Sequence, residues 1–439
     1  MSRPQTRRFD PARPCATTCW HSNTPGAGPI ANHIFQTISG EETDPREARN
    51  GLRHIVSLTA SKLADGLIDP KLILSWLLTS LGAPAVLVGL LVPIREAGAL
   101  LPQILLSGWL RRLRQRKRFW AAGAVGQGVS AGLIALAALT LTGQAAGLAI
   151  CAALAALALS RAACSVSYKD VLGKTVEKSR RGSVTGAAGS VSAAGVIGLG
   201  VLLLTDVLRS ETAVVMAIAL AACLWLAAAA LMLRLEEAPS TPEDEARPDL
   251  SPLWRDRQLQ LFILVRGMLV PTALAPPYFV LLASQSGGLA LDRLGVLVLV
   301  SAAASFLSSY VWGRLADRSS RWVLILTGLI GAAAMLAAVG ARALGLTQTV
   351  WAIPLALFLL MLAYHGVRQG RSTYLVDMAP EDKRATYAAL ANTAIGTLLL
   401  VAGTLGGLAA LIGPSAALIG FAALCLAASG VALWLDEVE

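Results

Sequence analysis

The sequence predicts an all-α integral membrane protein of twelve transmembrane helices, arranged as two six-helix repeats. Composition is the first observation behind this: 55% of the 439 residues are hydrophobic and 15% charged, against about 25% charged in an ordinary globular chain. Apolar runs are the second. Twelve of them follow residue 53 or so, each with the ~20 residues needed to cross about 30 Å of hydrocarbon. The third is an internal match. VGLLVPIREAGALLPQILLSGWLRR (88–112) lies over LGVLVLVSAAASFLSSYVWGRLADR (294–318), pairing Gly89 with Gly295 and Gly108 with Gly313. Upstream, Pro70 falls on Pro276; downstream, Arg181 falls on Arg384, so offsets of 206, 205 and 203 agree along the chain.

Residues 1–52 are polar and rich in Pro, Arg, Thr and Ser, which predicts a disordered cytoplasmic arm. Cys15 and Cys19, with His21, fall short of the four ligands of a structural zinc site, and no metal or other cofactor is expected. No cleavable leader is expected before the first apolar run, which then serves as insertion signal. The spans, numbered 1 to 12, read 54–80, 85–107, 119–141, 145–166, 183–206, 212–235, 259–284, 291–312, 322–344, 350–371, 386–411 and 414–435. A charged, proline-bearing linker, 236–258, separates a bundle over 53–235 from one over 259–439. Cys151, Cys164, Cys223 and Cys425 sit in apolar segments, as small buried thiols do.

Orientation follows from Lys and Arg in the short loops. The segments 111–118, 169–181, 313–321 and 368–384 carry nearly all of that charge, whereas the intervening loops offer Arg209, Arg293 and Arg342. Both termini are therefore expected in the cytoplasm, in an inner or plasma membrane. Trp109, Trp120, Trp312 and Trp322 bracket two basic loops, where amphipathic rings favour the headgroup level. The net charge of +10 is spread over loops rather than gathered on a reading surface, so nucleic acid is not an expected partner.

The Gly-x-x-x-Asp-Arg spacer between spans 8 and 9, with Gly313, Asp317, Arg318 and Arg321, resembles the signature loop of the major facilitator superfamily. Together with the doubled six-span layout, the resemblance covers about residues 54–435. It implies secondary transport by alternating access, with a site between the halves near mid-membrane. It also implies a cytoplasmic gate. Asp317 would face the start of span 5, where a helix terminus favours an anion, and Gly313 would let helices approach. In the first repeat Gly108 is retained but Arg112 stands where Asp317 does, so its arginines are expected to meet Glu381 and Asp382 before span 11.

Ionisable residues inside spans mark a pathway or a partner. In span 1, Lys62, Asp65 and Asp69 stand at i, i+3 and i+7 on one face, and Pro70 removes a backbone hydrogen bond beside Asp69. Span 2 adds Arg95 and Glu96 roughly midway, just after Pro93. These groups are expected to pair around a shared aqueous cavity. A carboxylate there feels desolvation and neighbouring cations in opposition, so it can be set to load and release a proton. Arg161 resembles the span 4 arginine of the superfamily's proton-driven exporters, although AACSVSYKD after it does not complete their motif, and span 5 lacks their Gly-Pro pair. Arg161, Arg266, His365 and Arg368 lie nearer the cytoplasmic ends, where long cations snorkel. The second half is otherwise expected to supply neutral groups: Ser301, Ser305 and Ser308 on one face of span 8, Pro276, Pro277 and Tyr278 in span 7, with Gln285, Asn392 and Thr393.

The expected function is secondary active transport of a small polar organic solute or organic anion, coupled to protons, by a monomer in the bilayer. An exporter of an amphipathic compound is the variant within transport. A membrane-embedded enzyme is disfavoured, because four histidines and no nucleophile with an adjacent base make a poor catalytic inventory. A transporter-like sensor is the remaining alternative. No G-x-x-x-x-G-K-[ST] loop marks a nucleotide-driven pump.

Overall fold

The computed structural model describes residues 29–39, 43–204, 211–240, 250–285, 291–316, 318–380 and 384–438. In the first half the helices are α1 (Pro29–Ser39), α2 (Pro45–Leu67), α3 (Ile73–Ser80), α4 (Ala85–Leu100), α5 (Gln103–Arg111), α6 (Arg116–Thr140), α7 (Gly143–Thr175), α8 (Arg181–Leu204) and α9 (Glu211–Leu233). The second half holds α10 (Pro252–Arg255), α11 (Arg257–Met268), α12 (Pro271–Leu274), α13 (Pro276–Gln285), α14 (Leu291–Ala316), α15 (Ser320–Ala343), α16 (Ala352–Met378), α17 (Arg384–Ile412) and α18 (Pro414–Ala432). Among the described residues, ten helices are long and apolar enough to cross a membrane, counting α11–α13 as one. Spans 1 and 2 complete the twelve as broken pairs, α2–α3 and α4–α5.

The breaks sit where proline denies the backbone a donor. After Leu67 the chain leaves the helix until Ile73. There the Asp69 carboxylate accepts the N–H of Lys71 at 3.0 Å, and the Ser75 hydroxyl donates to the Pro70 carbonyl at 2.7 Å. Pro102 divides span 2, and Pro271 and Pro276 divide span 7 into three. Starts are capped as their sequences dictate. The Asp256 carboxylate accepts from the N–H groups of Gln258 and Leu259, and the Ser319 hydroxyl from that of Trp322. Glu237, from beyond α9, receives the N–H groups of Arg116 and Lys117 at the head of α6.

The repeat is visible in atoms as well as letters. Arg181 Nη2 donates to the carbonyl of Gly173, eight residues back at the end of α7, at 2.7 Å. Arg384 Nε donates to the carbonyl of Val376, likewise eight residues back at the end of α16, at 3.0 Å. Each arginine thus closes the orphan carbonyls of the preceding helix, where a cation also suits the helix dipole.

Helices α2 and α4 to α9 pack among themselves in the first half, and α14, α15, α16 and α18 in the second. The halves meet along two seams, α4 with α17 and α8 with α14. Glycine makes both close. A side-chain carbon at Gly89 would lie 3.4 Å from the Cα of Gly407, and one at Gly403 would collide with the Pro93 ring. Gly200 and Gly295 do the same between α8 and α14, against Leu299 and Leu204.

Several expectations are corrected. The described part of the arm is helical: α1 is amphipathic and buries Phe35 with Ala48, Ile55, Leu172 and Val184, an apolar contact that overall polarity concealed. Trp120 and Trp312 are buried inside the bundles, with Trp312 Nε1 donating to the Leu362 carbonyl, whereas Trp109 and Trp322 are exposed. Cys223 is exposed too.

Candidate functional site

Between the halves lies a cavity of about 770 Å³, walled by span 1, α8, α14 and α16. Along α8 it reaches from Gly186 to Ile197 and along α14 from Val298 to Phe306. Beyond it, at the end away from the basic loops, Gly200 and Gly295 shut the seam. Small residues of α8 leave the room; Ser301 and Ser305 supply hydroxyls, and Val196, Ile197, Val298 and Met361 supply apolar wall.

The break in span 1 sets charge at the floor. Asp65 Oδ1 accepts from Arg95 Nη2 at 2.5 Å, and its Oδ2 is paired with Arg161 Nη1. One carboxylate therefore joins spans 1, 2 and 4. Glu96 faces the other way, with Lys71 Nζ 3.4 Å from its Oε1. Lys71 also donates to the Tyr364 hydroxyl at 3.2 Å and stands 4.4 Å from that ring's centroid, so this ammonium links the two halves. The Arg368 guanidinium lies 5.9 Å from the centroid of the same ring. Asp65, Asp69, Lys71, His365 and Arg368 all line the cavity.

The clustering expected for Asp65, Asp69, Arg95 and Glu96 is thus what the structure brings together, and Arg161 joins it rather than snorkelling. Lys62 does not. Its Nζ reaches the Thr185 carbonyl at 3.4 Å, against α8, because it sits a turn nearer the basic end than Asp65. The expectation of a charge-poor second half is overturned by α16, which contributes His365 and Arg368 to the wall. Arg266 is buried rather than snorkelling, 4% exposed, with Nη2 donating to Asn392 Oδ1 at 2.9 Å. Asn392 in turn donates to Gln103 Oε1 of span 2 at 3.4 Å. Ser308 and Tyr278 are buried away from the cavity.

Sequence reasoning passed over Lys71, Tyr364 and Arg371. A signal was present: Tyr364, Arg368 and Arg371 recur at i, i+4 and i+7 and so share one face of α16.

Of the gate residues, Asp317, Glu381 and Asp382 lie outside the described residues. Gly108 is buried. Gly313 does not admit a close helix, since a side-chain carbon there meets nothing within 4 Å. Arg321 turns to its own half, its Nη1 donating to the Leu435 carbonyl and its Nη2 pairing with Glu437, both at 3.1 Å. Arg318 is exposed, and Arg112 ends α5 with its N–H donated to the Trp109 carbonyl.

Residues 261–439 match the family model described as Major Facilitator Superfamily. Uncharacterized proteins of Mycobacterium bovis and Mycobacterium tuberculosis are 28% identical over 343 residues, covering 73% of this chain and 64% of theirs. The match thus spans less than two thirds of those relatives. Among solved structures, the nucleoside transporter NupG aligns with a TM-score of 0.68 at 10% identity, covering 88% of this chain and 100% of its own. A D-xylose-proton symporter gives 0.67 at 11%, covering 88% and 98%. A POT family transporter in complex with 5-aminolevulinic acid gives 0.68 at 12%, covering 88% and 95%.

Proposed function

Because residues 261–439 match the model of the Major Facilitator Superfamily and the fold is shared with solved transporters, we propose that the chain is a transporter of that superfamily and moves a small organic anion across the inner or plasma membrane. The mode is proton-coupled alternating access. The bodies that rock are the bundles 53–235 and 259–439, joined by the linker 236–258.

The observation that carries the substrate class is the imbalance at Arg368. Asp65 is shared by two guanidinium groups and Glu96 is engaged by Lys71. Arg368 lines the cavity against the Tyr364 ring and forms no ion pair among the described residues. Its side chain is exposed to the chamber, and a carboxylate on the solute would give it the ion-pair partner it lacks among the described residues. Apolar wall around Val196, Ile197 and Met361 suits a solute with an apolar body, the feature that favours an amphipathic cargo. Asp69, in the cavity and outside the ion pairs, is the proposed proton carrier.

Proteoliposome flux under an imposed pH gradient is the test. Organic anions should be moved and matched cations should not. Arg368→Gln should raise KM for the anion about tenfold or more, as expected for losing a charged hydrogen bond worth roughly 1.5–3 kcal/mol. Asp69→Asn should abolish the pH dependence while the protein folds. Failure of every solute class to show pH-dependent flux would overturn the reading.

A further inference from the structure

Behind Tyr364 lies a second, much smaller cavity of about 40 Å³ between spans 2, 7, 10 and 11. Its charged wall is Glu96, Arg266, Arg368 and Arg371. Three guanidinium groups therefore share one carboxylate, and Lys71 already holds that carboxylate at 3.4 Å. Arg266 is the most enclosed. Asn392 accepts from its Nη2, but its Nε is buried without a hydrogen-bond partner. Thr272, whose hydroxyl donates to the Leu269 carbonyl at 2.8 Å, also lines this cavity but does not accept from that Nε.

Buried donors are ordinarily satisfied, and buried charges are ordinarily paired. Water can satisfy the first rule and not the second. The volume decides what can satisfy both: a single water needs about 10–15 Å³ measured this way, so the cavity takes an occupant of a few heavy atoms and excludes a metabolite. We propose that it holds a small monovalent anion, a halide ion, bound by Arg266 and Arg371. The site is separate from the proposed substrate chamber, although Tyr364 and Arg368 line both. The ion supplies the counter-charge that the protein's own carboxylates leave wanting, and it fixes the guanidinium of Arg368 from behind.

The test uses the purified full chain in detergent, exchanged into gluconate, with thermal unfolding followed at constant ionic strength. Chloride or bromide should raise the midpoint with the logarithm of its concentration above the dissociation constant, by about 2 °C or more at roughly a hundredfold excess. Gluconate, too large to enter, should give no such rise. Arg266→Gln and Arg371→Gln should each abolish the response, while Arg321→Gln, at the far surface, should keep it. Should either variant fail to fold, line broadening of the chloride nucleus on the unaltered protein, lost on adding excess bromide, serves in its place. Equal responses to chloride and gluconate, a response surviving in both variants, or an effect of formate without one of halides would each overturn the proposal. The measurement needs no flux, so its outcome is independent of the transport reading.

Discussion

Asp65 carries more of the architecture than any other charged side chain in the site. Its two oxygens serve Arg95 and Arg161, so a neutral amide in its place leaves two guanidinium groups of spans 2 and 4 without their anion. Breaking a buried pair costs more than the pair contributes, because a charge is stranded. With Arg161 partly exposed, Asp65→Asn should lower stability by about 1–3 kcal/mol, read from denaturant midpoints. Asp69→Asn should change it far less, since that carboxylate accepts one backbone N–H. Tyr364→Phe keeps the ring over which Lys71 stands and removes the hydroxyl it donates to. It should weaken solute binding by a factor of ten or less, as for a hydrogen bond worth about 0.5–1.5 kcal/mol. Charge at mid-membrane was legible in the sequence because it is costly there. Partnership was not: Lys71 and Glu96 are 25 residues apart and Lys71 and Tyr364 are 293, and spacing carries no information about which distant side chains meet.

At the scale of the helices, proline positions forecast the breaks well. Pro70 marked span 1, and the floor of the chamber is built on the turns it releases. Glycine was read less well. Gly313, singled out as a contact point, faces open space, whereas Gly403, unremarked, is pressed on the Pro93 ring. A motif names a residue but a close approach depends on the partner helix, which only the packed structure reveals. Gly403→Leu should wedge α4 from α17. Its expected signature is increased labelling of a cysteine placed at Val86, which lies against Gly407, by a membrane-impermeant reagent. The matched arginines offer a second test. Arg181→Gln and Arg384→Gln should each destabilise by about 0.5–2 kcal/mol through the lost caps, and to a similar degree, because each closes the same turn of its own repeat.

For the molecule as a whole, twelve spans, two repeats and the crowding of basic loops at one end were all legible, since each follows from periodicity and charge counts. The division of charge between the halves is not legible in the same way, because position near the basic end predicts snorkelling for the cations of α16, while the helix turns His365 and Arg368 toward the chamber. Rocking of one bundle against the other requires the seams to part. Gly89→Cys with Gly407→Cys places two thiols where the backbones nearly touch, a side-chain carbon at Gly89 lying 3.4 Å from the Gly407 Cα. Oxidation should stop flux, and a reductant should restore it.

The closest contacts of the seams are glycine, leucine, valine and proline, with the Tyr278 hydroxyl against Gly89, and among the described residues no carboxylate, amine or guanidinium is one of those contacts. Their closure on the water-facing side is a matter of apolar surface withdrawn from solvent, a driving force that fades as water cools. Acid and salt should leave this door indifferent, and cold should loosen it.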